Sequence, residues 1–229
     1  QGRVEIGSDQ TPLTIQVVSD GRTGMENQAL GLAEAVQRLF SSRIVIKRIR
    51  WRRAFDKLPS ALKARWMLDP SSDAVEPAAG EAWPDLWIAT GRATLPLSAR
   101  VRERSGGKTF VVQTQDPRWN IAAYDLVVAP AHDGVTGSNV LSITGSPHRV
   151  TAERLAEGSA AFADRLEPLP RPRVAALIGG QSRAFDLTET HAADLAGRIA
   201  TAVEAAGGSL MLTFSRRTPE AAKAVMTAR

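Results

Sequence analysis

The residues able to do chemistry gather where short apolar runs end. After the run at 13–18 comes Asp20-Gly21-Arg22-Thr23-Gly24-Met25-Glu26-Asn27-Gln28. Its glycines permit a tight turn and close ligand approach. Glu26, Asn27 and Gln28 fall in the first turn of the helix expected next, where they cap it or touch a ligand. The spacing is neither the three-glycine dinucleotide fingerprint nor a Walker loop, which needs Lys followed by Ser or Thr. Gly91-Arg92 closes the run at 86–90. Gly179-Gly180-Gln181-Ser182 follows the run at 174–178, and a diglycine there lets backbone amides cradle a diphosphate. Ser215-Arg216-Arg217-Thr218 follows 210–214, with two guanidinium forks and two hydroxyls for a phosphate. Each cluster reads equally as ordinary turn and capping chemistry.

Acid–base candidates sit in two further clusters, Gln113-Thr114-Gln115-Asp116-Pro117-Arg118 and His132-Asp133-Gly134. Asp116, Asp133 or His132 would serve as general base, although a lone histidine is more often structural. His132, His148 and His191 show no metal-ligand spacing, so no metal and no cofactor is expected. With no cysteine, a thiolate nucleophile, a disulfide framework and a cysteine zinc site are excluded. No Gly-x-Ser-x-Gly elbow occurs, which argues against an α/β-hydrolase.

Alternating strands and helices must position these groups. Strands are expected at 13–18, 43–49, 86–90, 108–113, 126–129 and 140–143, and helices at 25–40, 95–104 and 150–166. Leu30, Ala33, Val36, Leu39 and Phe40 carry the helical spacing of the first. Glu167-Pro168-Leu169-Pro170-Arg171-Pro172 has three prolines in six residues and marks an extended linker. The rhythm then restarts with strands at 174–178 and 210–214 and a helix at 188–206, N-capped by Thr188. Pro219 opens a last helix running to the end. This alternation predicts an α/β fold with parallel sheets, whose ligands bind at the carboxyl ends of the strands. The expected domains are 1–166, a linker at 167–172, and 173–229.

At 229 residues, 43% hydrophobic and 23% charged, the chain can bury a core and is not a disordered one. No apolar run reaches the ~18 residues of a membrane span. Net charge is +5, with 24 arginines and five lysines, yet no dedicated nucleic-acid motif occurs, so no specific nucleic-acid partner is expected. Residues 1–10 lack a basic-then-apolar signal pattern, and a cytoplasmic location, at the inner membrane surface for a peripheral protein, fits the absence of cysteine. From Arg50 to Met67 the apolar Trp51, Phe55, Leu58, Leu62 and Trp66 recur at helical spacing among arginines and lysines, with Pro59 breaking the pattern. This reads as an amphipathic helix packed on the sheet or as a peripheral membrane contact.

Taken together, the blocks resemble a family. Ser19 through Gln28 with Ala29-Leu30-Gly31-Leu32, then Ala89-Thr90-Gly91-Arg92, Gln113-Thr114-Gln115-Asp116-Pro117 and Pro130-Ala131-His132-Asp133 are similar to the "elongated mitochondria" fission family and its bacterial relatives. Thr144-Gly145-Ser146-Pro147-His148-Arg149-Val150, Leu177-Ile178-Gly179-Gly180 and Thr213 through Pro219 continue the likeness in the same order. Plant members are associated with recruiting a dynamin-like GTPase to mitochondria. The domain plan resembles two-domain GT-B glycosyltransferases, in which the sugar-nucleotide donor lies between two Rossmann-like domains.

That resemblance implies a Rossmann-like domain followed by the start of a second, and a nucleotide sugar or other phosphorylated ligand. Gly21, Gly24, Glu26, Asn27, Gln28, Gly91, Arg92, Gly179, Gly180, Ser182, Ser215, Arg216, Arg217 and Thr218 would bind it. Asp116, Asp133 or His132 would act in transfer to a lipid-linked or envelope acceptor. The alternative it implies is a non-enzymatic recruitment protein on the same fold. GT-B enzymes continue for roughly a hundred further residues, so the second domain is expected to be incomplete. Its sheet would then have an open edge, which implies marginal order there or a compensating contact with another chain, such as a second copy in a homo-oligomer.

Overall fold

The computed structural model describes residues 11–182 and 184–228. The N-terminal stretch read for a signal pattern, and Arg229 at the end of the last expected helix, lie outside them. The chain divides into two compact units between Thr151 and Ala152. The helical stretch up to Leu166 thus falls with the second unit.

The first unit is built on strands that are buried on both faces. β1 (Leu13–Ser19), β3 (Leu86–Thr90), β4 (Phe110–Thr114) and β5 (Leu126–Pro130) each carry a continuous buried run. Parallel sheets covered on both sides demand such runs. With β2 (Ser42–Arg48) and β6 (Val140–Ile143) they form a six-stranded sheet in the order β2-β1-β3-β4-β5-β6, every pair parallel. β2 lies to one side of β1 and β3 to the other, so the order reverses between β1 and β3. The carboxyl ends of those two strands therefore flank the crevice where this topology holds ligands.

Each face has its own core. Ile15, Val17, Ile88, Val112 and Val128 pack with Ala29, Leu30 and Ala33 of α1 (Thr23–Gln37). The opposite face gathers Trp51, Trp87, Val111 and Tyr124 with Leu95, Leu97 and Val101 of α2 (Leu95–Arg104). Gly31 fits α1 to its surroundings: a Cβ there would lie 2.4 Å from the His148 carbonyl oxygen. Beside it Arg149 Nε donates to Glu34 Oε1 at 2.8 Å.

Residues 50–67 do not form the expected helix. They make turns and two short 3-10 segments, Ser60–Leu62 and Arg65–Met67. Trp51 pairs with Leu68 in an antiparallel bridge, and Asp69 N donates to Arg50 O at 2.8 Å. The ends of the segment are thus stapled together and a continuous helix cannot run between them. Trp51 is buried with its indole N–H on Ala93 O at 2.9 Å, whereas Leu62 and Trp66 are exposed.

The second unit comprises α3 (Ala152–Ala161), α4 (Ala163–Leu166), β7 (Arg173–Ile178), α5 (Glu189–Ala205), β8 (Ser209–Phe214) and α6 (Glu220–Thr227). The single helix expected at 150–166 is two, broken at Phe162. β7 and β8 pair in parallel along their whole length. Ile178, Ala192, Ala196, Ala222 and Met226 form the core. Thr188 caps α5 as expected, its hydroxyl accepting from His191 N at 3.2 Å.

Candidate functional site

In the first unit, the turns after β1 and β3 both need glycine. Gly21 has φ +77° and Gly91 has φ +82°, in the left-handed region that side chains avoid. A Cβ on Gly91 would also lie 2.8 Å from Met25 Cε in the first turn of α1. Gly24 faces open space in the same helical turn. Arg92 is exposed and Asn27 half-buried.

Glu26 is committed to an ion pair. Arg48 at the end of β2 donates Nε to Oε2 and Nη2 to Oε1, each at 2.8 Å, and Ser19 Oγ donates to Oε2 at 2.8 Å. The forked guanidinium holds this carboxyl below its ordinary range against the opposing effect of burial. Glu26 thus ties β1, α1 and β2 together at their carboxyl-end rim. Gln28 is engaged too: Gln115 Nε2 donates to its Oε1 at 3.1 Å.

The loop after β4 is conformationally costly. Gln115, Arg118 and Asn120 all have positive φ, at 68°, 51° and 45°, unusual for the first two residue types. Asp116 accepts from Arg118 N at 2.7 Å and lies 3.6 Å from Arg118 Nε. His132 and Asp133 form an exposed turn after β5, 3.7 Å apart. No hydrogen bond joins Asp116 to either of them among the described residues.

Three polar groups at this same edge fall within the strand-end blocks, yet the sequence gives them no role. Thr90 Oγ1, Thr114 Oγ1 and Gln113 Oε1 are buried with no hydrogen-bond partner. Thr90 and Thr114 are register partners at the last positions of β3 and β4. The signal available was a threonine closing each strand before a polar turn.

The second unit brings its two turns together by backbone contact. A Cβ on Gly180 would lie 2.2 Å from the Arg217 carbonyl carbon, so only glycine lets the β7 turn seat on the β8 turn. Gln181 N donates to Arg217 O at 3.1 Å, and Thr218 Oγ1 donates to Gly179 O at 3.0 Å. Thr218 is buried beneath. Ser182 Oγ accepts from Ala184 N and Phe185 N, and Ser215 Oγ accepts from Arg217 N. Gly179, Gly180, Ser215, Arg217 and Thr218 thus share one place. The hydroxyls of Ser182, Ser215 and Thr218 all help to close the turns. A Cβ on Gly179 would meet nothing within 4 Å, and Arg216 and Arg217 are exposed.

Among the described residues no cluster of three or more metal-ligating side chains could hold a metal ion. No described helix is long and apolar enough to cross a membrane. The family model "Mitochondrial fission ELM1" matches residues 23–229. The mitochondrial fission protein ELM1 of Arabidopsis thaliana is 28% identical over 162 residues, covering 59% of this chain and 37% of that protein. The chain therefore spans little more than a third of the curated relative it matches.

Proposed function

This chain belongs to the mitochondrial fission ELM1 family, and on that footing we propose that it binds a nucleotide sugar through the turns after β7 and β8. The seating of Gly180 on the Arg217 backbone carries the reading. It gathers an unhindered glycine and two arginines at the carboxyl ends of parallel strands, and a diphosphate is recognised by such forked donors and backbone N–H groups. In a glycosyltransferase these groups would stabilise the departing nucleoside diphosphate as the sugar carbon passes to an acceptor oxygen of a lipid-linked or envelope molecule. Calorimetric titration of the chain with UDP- and GDP-sugars tests this. Binding at millimolar or lower concentration is expected, weakened about tenfold by Arg217→Ala. No heat from any sugar nucleotide would overturn it.

A second reading, a non-enzymatic recruitment protein, draws on one observation. Leu62 and Trp66 are 63% and 64% exposed among the basic residues of the 50–67 segment, as at a contact surface. Trp66→Ala abolishing cellular function while Arg217→Ala leaves it intact would select this reading.

A further inference from the structure

The 50–67 segment walls a cavity of about 530 Å³ at the ends of β1 and β3, within the size range of small-molecule sites. Arg22 reaches it from the turn after β1, Arg92 from the turn after β3, and Asp56, Lys57 and Lys63 from the segment itself. Four cations thus face one carboxylate. Arg22 is already matched by Asp20 at 3.0 Å.

Lys63 is the telling residue. It is only 6% exposed, although lysine is almost never buried without a charged partner. Its ammonium donates to the Asp56 carbonyl oxygen at 2.7 Å and lies 5.0 Å from the Trp51 ring centroid. A carbonyl and a ring face leave part of its donor capacity unused, since an ammonium has three N–H groups. Burial and the nearby Arg92 both work against its charge, with Asp56 opposing them. Holding like charges together at the edge of a cavity is unfavourable unless an anion joins them.

We propose that this cavity binds the phosphoryl or diphosphoryl group of a small ligand, with Lys63 and Arg92 as its cations. The site lies at the point where the strand order reverses, the place where open α/β sheets hold ligands. It is built from the first unit alone and does not rest on nucleotide-sugar binding by the second. A point charge beside a planar fork suits a polyanion with several equivalent oxygens better than a single carboxylate. Trp51, anchored on Ala93, fixes the floor beneath Lys63.

The test titrates the whole chain with inorganic pyrophosphate at low salt, comparing wild type, Arg92→Ala, Lys63→Met and Arg217→Ala. Wild type is expected to bind, with affinity falling about tenfold for Arg92→Ala and further for Lys63→Met, while Arg217→Ala retains binding at this site. Should Lys63→Met fail to fold, Arg92→Ala decides, because that side chain is exposed. Equal binding by wild type and Arg92→Ala overturns the proposal, as does a loss confined to Arg217→Ala. A parallel arm uses neutral vesicles and vesicles containing phosphatidylglycerol. Sedimentation with the anionic vesicles and no response to pyrophosphate would replace the cavity site with a membrane contact.

Discussion

The two carboxyl-end clusters look alike in sequence, a strand followed by glycines and polar residues, yet different forces hold them. In the first unit the rim is tied by charge: Glu26 takes both arms of Arg48 and the hydroxyl of Ser19. In the second it is tied by contact: Gly180 rests on the Arg217 backbone, and neutral hydroxyls close the turns. A charged tie responds to protonation and to salt. A tie of backbone contact responds only to shape. A glycine in such a turn is therefore no sign of a ligand until its neighbours are known.

The largest effect should come from breaking the shape-based tie. Gly180→Ala forces a methyl into the Arg217 backbone and should cost roughly 3 kcal/mol. Hydrogen exchange should show it as faster exchange at β7 and β8 with β1, β3 and β4 unchanged. A loss of similar size in both units would break the comparison.

An intermediate effect is expected from the charged tie. Glu26→Gln leaves Arg48 without its counter-charge. Because Arg48 is largely solvated, the cost should lie below that of Gly180→Ala and above that of Arg217→Ala. Its pH dependence follows from the lowered carboxyl pKa. The stabilisation is complete above the ordinary value of 4.5 and is lost as pH falls through the lowered folded value. Thermal denaturation between about pH 6 and 3 should show this acid loss in wild type and a smaller one in Glu26→Gln.

The smallest effect sharpens the contrast. Arg217 supports the Gly180 contact through its backbone, and its side chain is exposed. Arg217→Ala should therefore change stability by no more than about 0.5 kcal/mol, measured by the same denaturation. A larger loss would mean that the guanidinium also holds the turn.

The parallel strands were legible because burial on both faces forces unbroken runs such as Val17-Val18 and Val111-Val112. The 50–67 segment was not. Trp51, Phe55, Leu58, Leu62 and Trp66 have helical spacing, but Trp51 is claimed by Leu68 and Ala93, contacts that spacing cannot report. The site was legible as a set of strand ends and opaque in its division of labour. Glu26 reads as a ligand until Arg48, 22 residues on, takes its carboxylate. Gly180 reads as a glycine freed for phosphate, whereas its missing side chain makes room for the Arg217 backbone and so brings the exposed guanidinium of that residue to the open Gly179. Lys63 carried no signal at all, because burial of a charge is a property of the folded chain.

Gly31 gives the fold a constraint on its history. With the His148 carbonyl 2.4 Å from where a Cβ would stand, no other residue can enter at position 31 unless the chain at 148 has first withdrawn. The two positions, more than a hundred residues apart, therefore drift only as a pair. A change harmless in a lineage whose strand-end loop had already moved would be strongly destabilising here, so the order in which substitutions arrive decides which are open to this chain.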